Sequence, residues 1–251
     1  MFVAGFPAEL LGTNCYVIAP AVGEECVIVD PGVNVIKQLD AVLTEHRLRP
    51  VAVLLTHGHL DHTFSVAPVC GARGITAYIH PDDAELLADP GKALSADLSH
   101  MLFGGRLSYS EPEDVAPLTD GAVIELAGLS VTVDHTPGHT PGSVMFRLPG
   151  SDGDGDGTRR VPPLCFSGDV LFAGSIGRTD LPGGDPEAMW RSLRTKVLPL
   201  DDEVAILPGH GPATTMGWER LTNPYLKRLT QEGAGGHRPA GGATTGGARG
   251  L

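Results

Sequence analysis

Three histidines and an aspartate fall within six residues at His57-Gly58-His59-Leu60-Asp61-His62, directly after the apolar run VAVLL. Imidazole and carboxylate together suit Zn, Fe or Mn, so the chemistry this cluster can do is metal binding. Its spacing constrains the backbone. Residues two apart on a helix point to nearly opposite sides, so His57 and His59 cannot chelate one ion from a helix. In an extended loop they share a side and Asp61 joins them, while His62 faces differently as the chain turns into a following helix. A lone histidine is usually a satisfied polar residue. Three of them with an aspartate, straight after a strand, are not explained that way.

The same residue types recur downstream: TPGHTPGS holds His139, FSGDVLF holds Asp169 and LPGHGP holds His210. Each follows a run that reads as a strand. Strands are expected over 14–19, 25–30, 51–55, 75–79, 122–126, 130–134, 144–148, 164–167 and 204–207, from β-branched runs bounded by turn residues. Asn34 is expected to cap a helix whose stripe is Val35, Ile36, Leu39, Val42, Leu43 and His46. Asp185-Pro186-Glu187 opens another helix, with Asp at the cap and Pro at the first position, and Met189, Leu193 and Val197 line one face. Asn223-Pro224 starts a last short helix. Strands alternating with helices predict an α/β layered domain over residues 1–230. Residues 231–251, rich in glycine, are expected to be a disordered tail. Residues 89–117 show no strand pattern, and Leu94, Leu98, Met101, Leu102 and Phe103 suggest core packing or a short helix over a pocket. SDGDGDG at 151–157 reads as a solvated hairpin loop. It begins like a calcium loop, but Pro163 stands where an EF-hand needs a bidentate glutamate. His46, His80, His100 and His237 lie outside the motifs, and His135 is expected to have a structural role.

With 41% apolar residues, 19% charged residues and a net charge of −12, the composition is that of a soluble globular chain. Such an acidic surface repels polyphosphate, so no nucleic-acid partner is expected. The start carries no basic n-region, and no apolar run is long enough to span a bilayer, so no membrane partner is expected and the expected location is cytoplasmic. Cys15, Cys26, Cys70 and Cys165 are scattered and read as reduced core residues. Arg outnumbers Lys, and Gly and Ala are abundant, a composition suggesting a high-GC genome.

THGHLDH, with the three later motifs in order, resembles the metallo-β-lactamase superfamily over about residues 1–230. The resemblance implies an α/β fold, the αβ/βα four-layer sandwich, with two divalent metal ions, zinc first and iron or manganese next, in a cleft between the sheets. Carried over residue by residue, it implies that His57, His59 and His139 hold one ion, that Asp61, His62 and His210 hold the other, and that Asp169 bridges them. Asp30 in VIVDPG matches an acidic position whose role is a hydrogen bond to a ligating histidine. NCYV, FAGSIGRTDLPGGD and LPGHGPATT look most like short bacterial glyoxalase II-type thioesterases. That resemblance implies hydrolysis of a 2-hydroxyacyl thioester of a low-molecular-weight thiol, with Asp61 or Asp169 orienting a hydroxide and Arg178 meeting the thiol's carboxylates. Larger glyoxalase II enzymes add a helical C-terminal domain that helps bind glutathione, and its near absence here leaves the thiol open, mycothiol being another candidate. Persulfide dioxygenases, which use one iron, share the GRTD segment. Other small-molecule hydrolases of the fold, such as β-lactamases, form a further alternative.

Overall fold

The computed structural model of the chain describes residues 1–93, 110–151 and 160–235. One sheet is built from β1 (Phe2–Pro7), β2 (Asn14–Ala19), β3 (Glu25–Val29), β4 (Arg49–Leu54), β5 (Thr76–Ile79) and β6 (Val115–Pro117), side by side in chain order. The first three are antiparallel neighbours, whereas β3 to β6 run parallel. Parallel neighbours need crossovers. The helices α1 (Ile36–Glu45), α2 (Leu60–Thr63), α3 (Val66–Arg73) and α4 (Pro81–Ala88) lie in those connections.

The second sheet contains β7 (Val123–Leu126), β8 (Leu129–His135), β9 (Val144–Leu148) and β10 (Leu164–Gly168). A two-stranded ribbon, β11 (Leu171–Phe172) and β12 (Ser175–Ile176), interrupts the chain before β13 (Ala205–Pro208) and β14 (Thr214–Thr215) complete the sheet in the order β14-β13-β10-β9-β8-β7. Its helices are α5 (Pro186–Ser192), prolonged by a π turn over Leu193–Val197, then α6 (Met216–Thr222) and α7 (Pro224–Gly235).

The period of two along each strand sorts apolar side chains into layers. In β2, Cys15, Val17 and Ala19 pack with Leu39 and Leu43 of α1, while Tyr16 and Ile18 join the core between the sheets. In β10, Leu164 and Phe166 face that inter-sheet core, and Cys165 points the other way, among Met189, Leu193, Val197, Met216 and Leu226. Strands apolar on both faces must be covered on both faces. The result is the expected α/β four-layer sandwich, helices outside two sheets.

Several local expectations differ. Asn34 does not cap α1: its φ is 59°, and the capping residue is Val35, without a side-chain bond. Asparagine tolerates the left-handed region, and here the turn uses that property. Val115–Pro117 is a strand inside the segment expected to hold none, because three residues show no periodicity and only pairing with β5 defines them. The expected apolar positions from Leu94 to Phe103, and the acidic loop at 152–157, lie outside the described residues. Helix α7 runs for 12 residues to Gly235, five beyond the boundary at 230, and the rest of the expected tail lies outside the described residues. Asp185 caps α5 as expected, accepting the amides of Glu187 and Ala188. All four cysteines are free and buried. No helix among the described residues is long and apolar enough to cross a membrane.

Phe146 is fully buried in the inter-sheet core and pairs across the strands with Val133. Phe146→Ala should cost about 3–5 kcal/mol, the range for emptying an aromatic site in a packed core. Urea unfolding, followed by tryptophan fluorescence and circular dichroism, checks it.

Candidate metal centre

Four segments deliver their functional side chains from strand ends at one edge of the sandwich: past β4 to His57, past β8 to His139, past β10 to Asp169, and past β13 to His210. Bonds between the sheets hold that edge together. The Val144 amide donates to Thr56 O at 2.8 Å, the Tyr16 hydroxyl to Pro208 O at 2.8 Å, and the Asn14 amide to Gly209 O at 2.7 Å. At Gly209 only a hydrogen fits, since a Cβ would collide with the Asp169 carboxylate and stand 2.7 Å from Cε1 of His62.

The seven side chains converge in overlapping sets of possible ligands: His57, His59 and His139; Asp61, His62 and His210; and His57, His62 and Asp169. The spacing argument placed Asp61 beside His57 and His59, and this needs correcting. His59 is the extended residue that caps α2, so the helix begins at Leu60 and Asp61 already lies on it, where it turns toward His62 and His210. Asp169 reaches both groups, with Oδ1 3.4 Å from His62 Nε2 and Oδ2 3.5 Å from Nε2 of both His139 and His210.

The donor geometry fits metal ions. His57 Nε2 lies 3.2 Å from His59 Nδ1, and His62 Nε2 lies 3.3 Å from His210 Nε2. Two nitrogens sharing a tetrahedral zinc at its usual bond length lie about 3.3 Å apart. His59 Nε2, His139 Nε2 and Asp169 Oδ1 are buried with no hydrogen-bond partner. Each such atom costs about 1–3 kcal/mol if nothing meets it. Of the three, His139 Nε2 and Asp169 Oδ1 face the other donors and would be met by a bound cation, whereas His59 turns Nδ1, not Nε2, toward His57.

Charge in the cluster is polarised. Burial, reinforced by the neighbouring histidines, pushes His57 well below the ordinary imidazole value, and burial takes His59 down to about 3. Burial opposes charge on His62 as well, but Asp61, Asp169 and Asp30 outweigh it and raise His62 to about 10. Asp61 is driven below the usual carboxylate range although burial opposes the shift, because His62, His210 and the Thr13 hydroxyl all favour its charged form.

Supporting contacts orient the donors. Asp30 sits in the left-handed region at φ 49° and is 2% exposed. Its carboxylate meets Nδ1 of His62 at 2.9 Å and accepts from the Thr56 amide at 2.9 Å and hydroxyl at 2.6 Å. Thr13 Oγ1 donates to Asp61 Oδ2 at 2.7 Å, and Nδ1 of His139 lies 2.8 Å from the Arg178 carbonyl oxygen. The Arg178 guanidinium itself is bound twice, at 2.7 Å each, to the Asp180 carboxylate on an exposed rim.

One residue that sequence reasoning missed is Asp83. It is fully buried, and it accepts from the Gly58 amide at 2.8 Å, the Thr140 hydroxyl at 2.6 Å and the Gly142 amide at 2.7 Å. The carboxylate thus clamps the His57–His59 loop to the His139 loop. In sequence it is the second acid after Pro81, indistinguishable from any acidic residue in a first helical turn. His135 lies apart from the seven, stacked on His80, and His46 packs on Phe2.

Comparison with known proteins agrees with this geometry. Residues 8–210 match the metallo-β-lactamase superfamily. The chain belongs to that superfamily. An uncharacterized protein of Mycobacterium tuberculosis is 46% identical over 233 residues, spanning 92% of this chain and 100% of that one. The hydroxyacylglutathione hydrolase GloC of Haemophilus influenzae is 32% identical, over 88% of this chain and 95% of its own. Among solved structures, the B3 metallo-β-lactamase BLEG-1 has a TM-score of 0.76 at 36% identity, covering 90% of this chain and 99% of its own. TTHA1623, solved in a di-iron-bound form, has a TM-score of 0.68 at 38% identity, covering 89% and 100%. ETHE1 of Myxococcus xanthus, also at 0.68 with 92% and 91% covered, is 20% identical and shares the fold alone. Superfamily members typically bind two metal ions, and the clustered donors here are of the right types and number.

Two outcomes follow. Ligands must be unprotonated to bind, so metal uptake at pH 7 should expel at least the His62 proton. Affinity should then rise roughly tenfold per pH unit per proton released below pH 10, and calorimetric titrations in buffers of different ionisation enthalpy measure the count. Asp83→Asn should weaken metal retention by about 10–100-fold, the range for lost supporting bonds around ligands. Chelator competition would show it, together with a smaller gap between metal-loaded and stripped melting temperatures.

Proposed function

We propose that the chain is a binuclear metal-dependent hydrolase cleaving 2-hydroxyacyl thioesters of a low-molecular-weight thiol, by water attack on the thioester carbonyl. The observation that carries this is the set of seven donors with Asp169 in reach of both halves. The likeness to GloC, at 32% identity over most of both chains, supports the thioester as substrate. When bound, two divalent ions, zinc by preference or iron or manganese, lower the pKa of water and polarise a carbonyl.

The protein's own groups do the rest. Asp61, pinned by Thr13, and Asp169 orient the attacking water, and their carboxylates keep the site anionic enough to retain its cations. The departing group needs no acid: a thiol of pKa about 8.5 leaves as thiolate near neutral pH. Tyr16, a phenol near this edge, donates its proton to the Pro208 carbonyl, and burial pushes it above its ordinary value. Arg178 stands on the rim with its carbonyl beside His139, and a carboxylate of the thiol would replace Asp180 on its guanidinium. The substrate is a soluble small molecule, with neither nucleic acid nor membrane as partner, and the working compartment is the cytoplasm. The 36% identity to BLEG-1 supports a second reading, β-lactam hydrolysis at the same centre.

One metal-replete sample should be offered S-lactoylglutathione, the mycothiol analogue, a β-lactam panel and glutathione persulfide in parallel. Thioester turnover with no oxygen uptake is expected. Oxygen consumption without thioester cleavage, or β-lactam cleavage alone, would overturn the assignment. Arg178→Ala should raise KM more than it lowers kcat, because a contact remote from the carbonyl supplies mostly uniform binding.

A further inference from the structure

Outside the centre just described, His80, Asp82 and His135 place one potential ligand atom each within 4.8 Å of the others. The histidine rings lie face to face, with centroids 3.9 Å apart and planes 11° from parallel. Their in-plane lone pairs therefore run side by side, and one ring must turn out of the stack before both can share an ion. His80 precedes α4 and His135 ends β8, so the pair joins a helix start to a strand from the other sheet.

We propose that these three residues form a third metal site, for a borderline divalent cation such as Zn²⁺, Ni²⁺ or Cu²⁺. His135 has the tautomer of a ligand. Its Nε2–H donates to the Pro141 carbonyl at 2.8 Å, which leaves the lone pair on Nδ1. Ligating histidines characteristically give their other ring N–H to a carbonyl or carboxylate, fixing the tautomer in this way. His80 Nδ1 stands 3.7 Å from Asp82 Oδ2 and takes only a long 3.3 Å bond from the Asp82 amide, which coordination would replace. The His80 side chain is 12% exposed and that of Asp82 58% exposed, so the carboxylate is free to swing in and water has access to a fourth position.

Electrostatics permits a cation there. The positive end of the α4 dipole opposes it. Asp82, Asp83 and Asp120 all act on His80 with the opposite sign, though Asp120 Oδ1, which also accepts the His135 amide, is paired with Lys196 Nζ at 2.7 Å. Two imidazoles with one carboxylate select transition metals over Mg²⁺ or Ca²⁺, which take oxygen donors. The site also has a structural consequence. Helix α4 carries Asp83, and Pro141 adjoins Thr140, which donates to Asp83. An ion on His80 and His135 would tie together the same two segments that Asp83 already joins.

Counting ions tests this without any substrate. The full chain, stripped and then dialysed to equilibrium against Zn²⁺ alone, should hold three ions by elemental analysis. His80→Gln should hold two, and Asp82→Asn, an exposed change that leaves folding intact, should lose the third ion already at about tenfold higher free Zn²⁺ than the wild type does. A His59→Ala/His62→Ala chain should keep the ion at His80. With Cu²⁺, that same chain should show two-nitrogen hyperfine splitting in its paramagnetic resonance spectrum. Two ions in the wild type, or a third that survives in His80→Gln, would overturn the proposal.

Discussion

Five imidazoles and two carboxylates crowded at one buried edge create the constraint from which the rest of this structure follows. Without cations the group is expensive: nitrogens face nitrogens at 3.2–3.3 Å, and three buried polar atoms have no partner. With cations the same distances become ligand–ligand separations. Everything nearby serves that approach. Gly209 removes a side chain where Asp169 and His62 need the space, Asp30 accepts a strained backbone to reach His62, and the two sheets exchange bonds through Thr56, Pro208 and Gly209.

The apolar layers make this expense bearable. The inter-sheet core holds both sheets in fixed register, so the loops that leave them have little freedom of their own. A packed core deforms poorly, and it transmits its rigidity to the loops it anchors. Asp83 applies the same logic with polar groups. A buried carboxylate with three donors is far better satisfied than one with none, and its donors come from both metal-binding loops. The stacked pair of His80 and His135 lies beside this clamp, with His135 bonded to the carbonyl of Pro141, next to Thr140.

Much of this was legible in the residues. β-Branched runs bounded by turn residues placed most strands, Asp185-Pro186 marked a helix start, and clustered histidines after strands marked a candidate metal centre. Local signals of that kind are strong because they report on the neighbouring backbone. Where they failed, the deciding partner was remote or the segment short. The β6 strand exists only by pairing with β5, and Asn34 gave up its cap for a left-handed turn. Asp61 changed sides because a helix began one residue before it.

By itself, then, the sequence determined which atoms could bind metal, in what order along the chain, and that a doubly covered α/β core would carry them. Tertiary structure alone fixed the distances at which those atoms meet, with Asp169 between two histidine groups and Asp61 beside His210, 149 positions away. It also gave Asp83 a role no local pattern encodes, a clamp between loops, and set the Arg178 carbonyl beside His139. The physical reason is range. Periodicity and capping act over a few residues, whereas coordination and buried hydrogen bonds depend on distances that exist only after the sheets have packed.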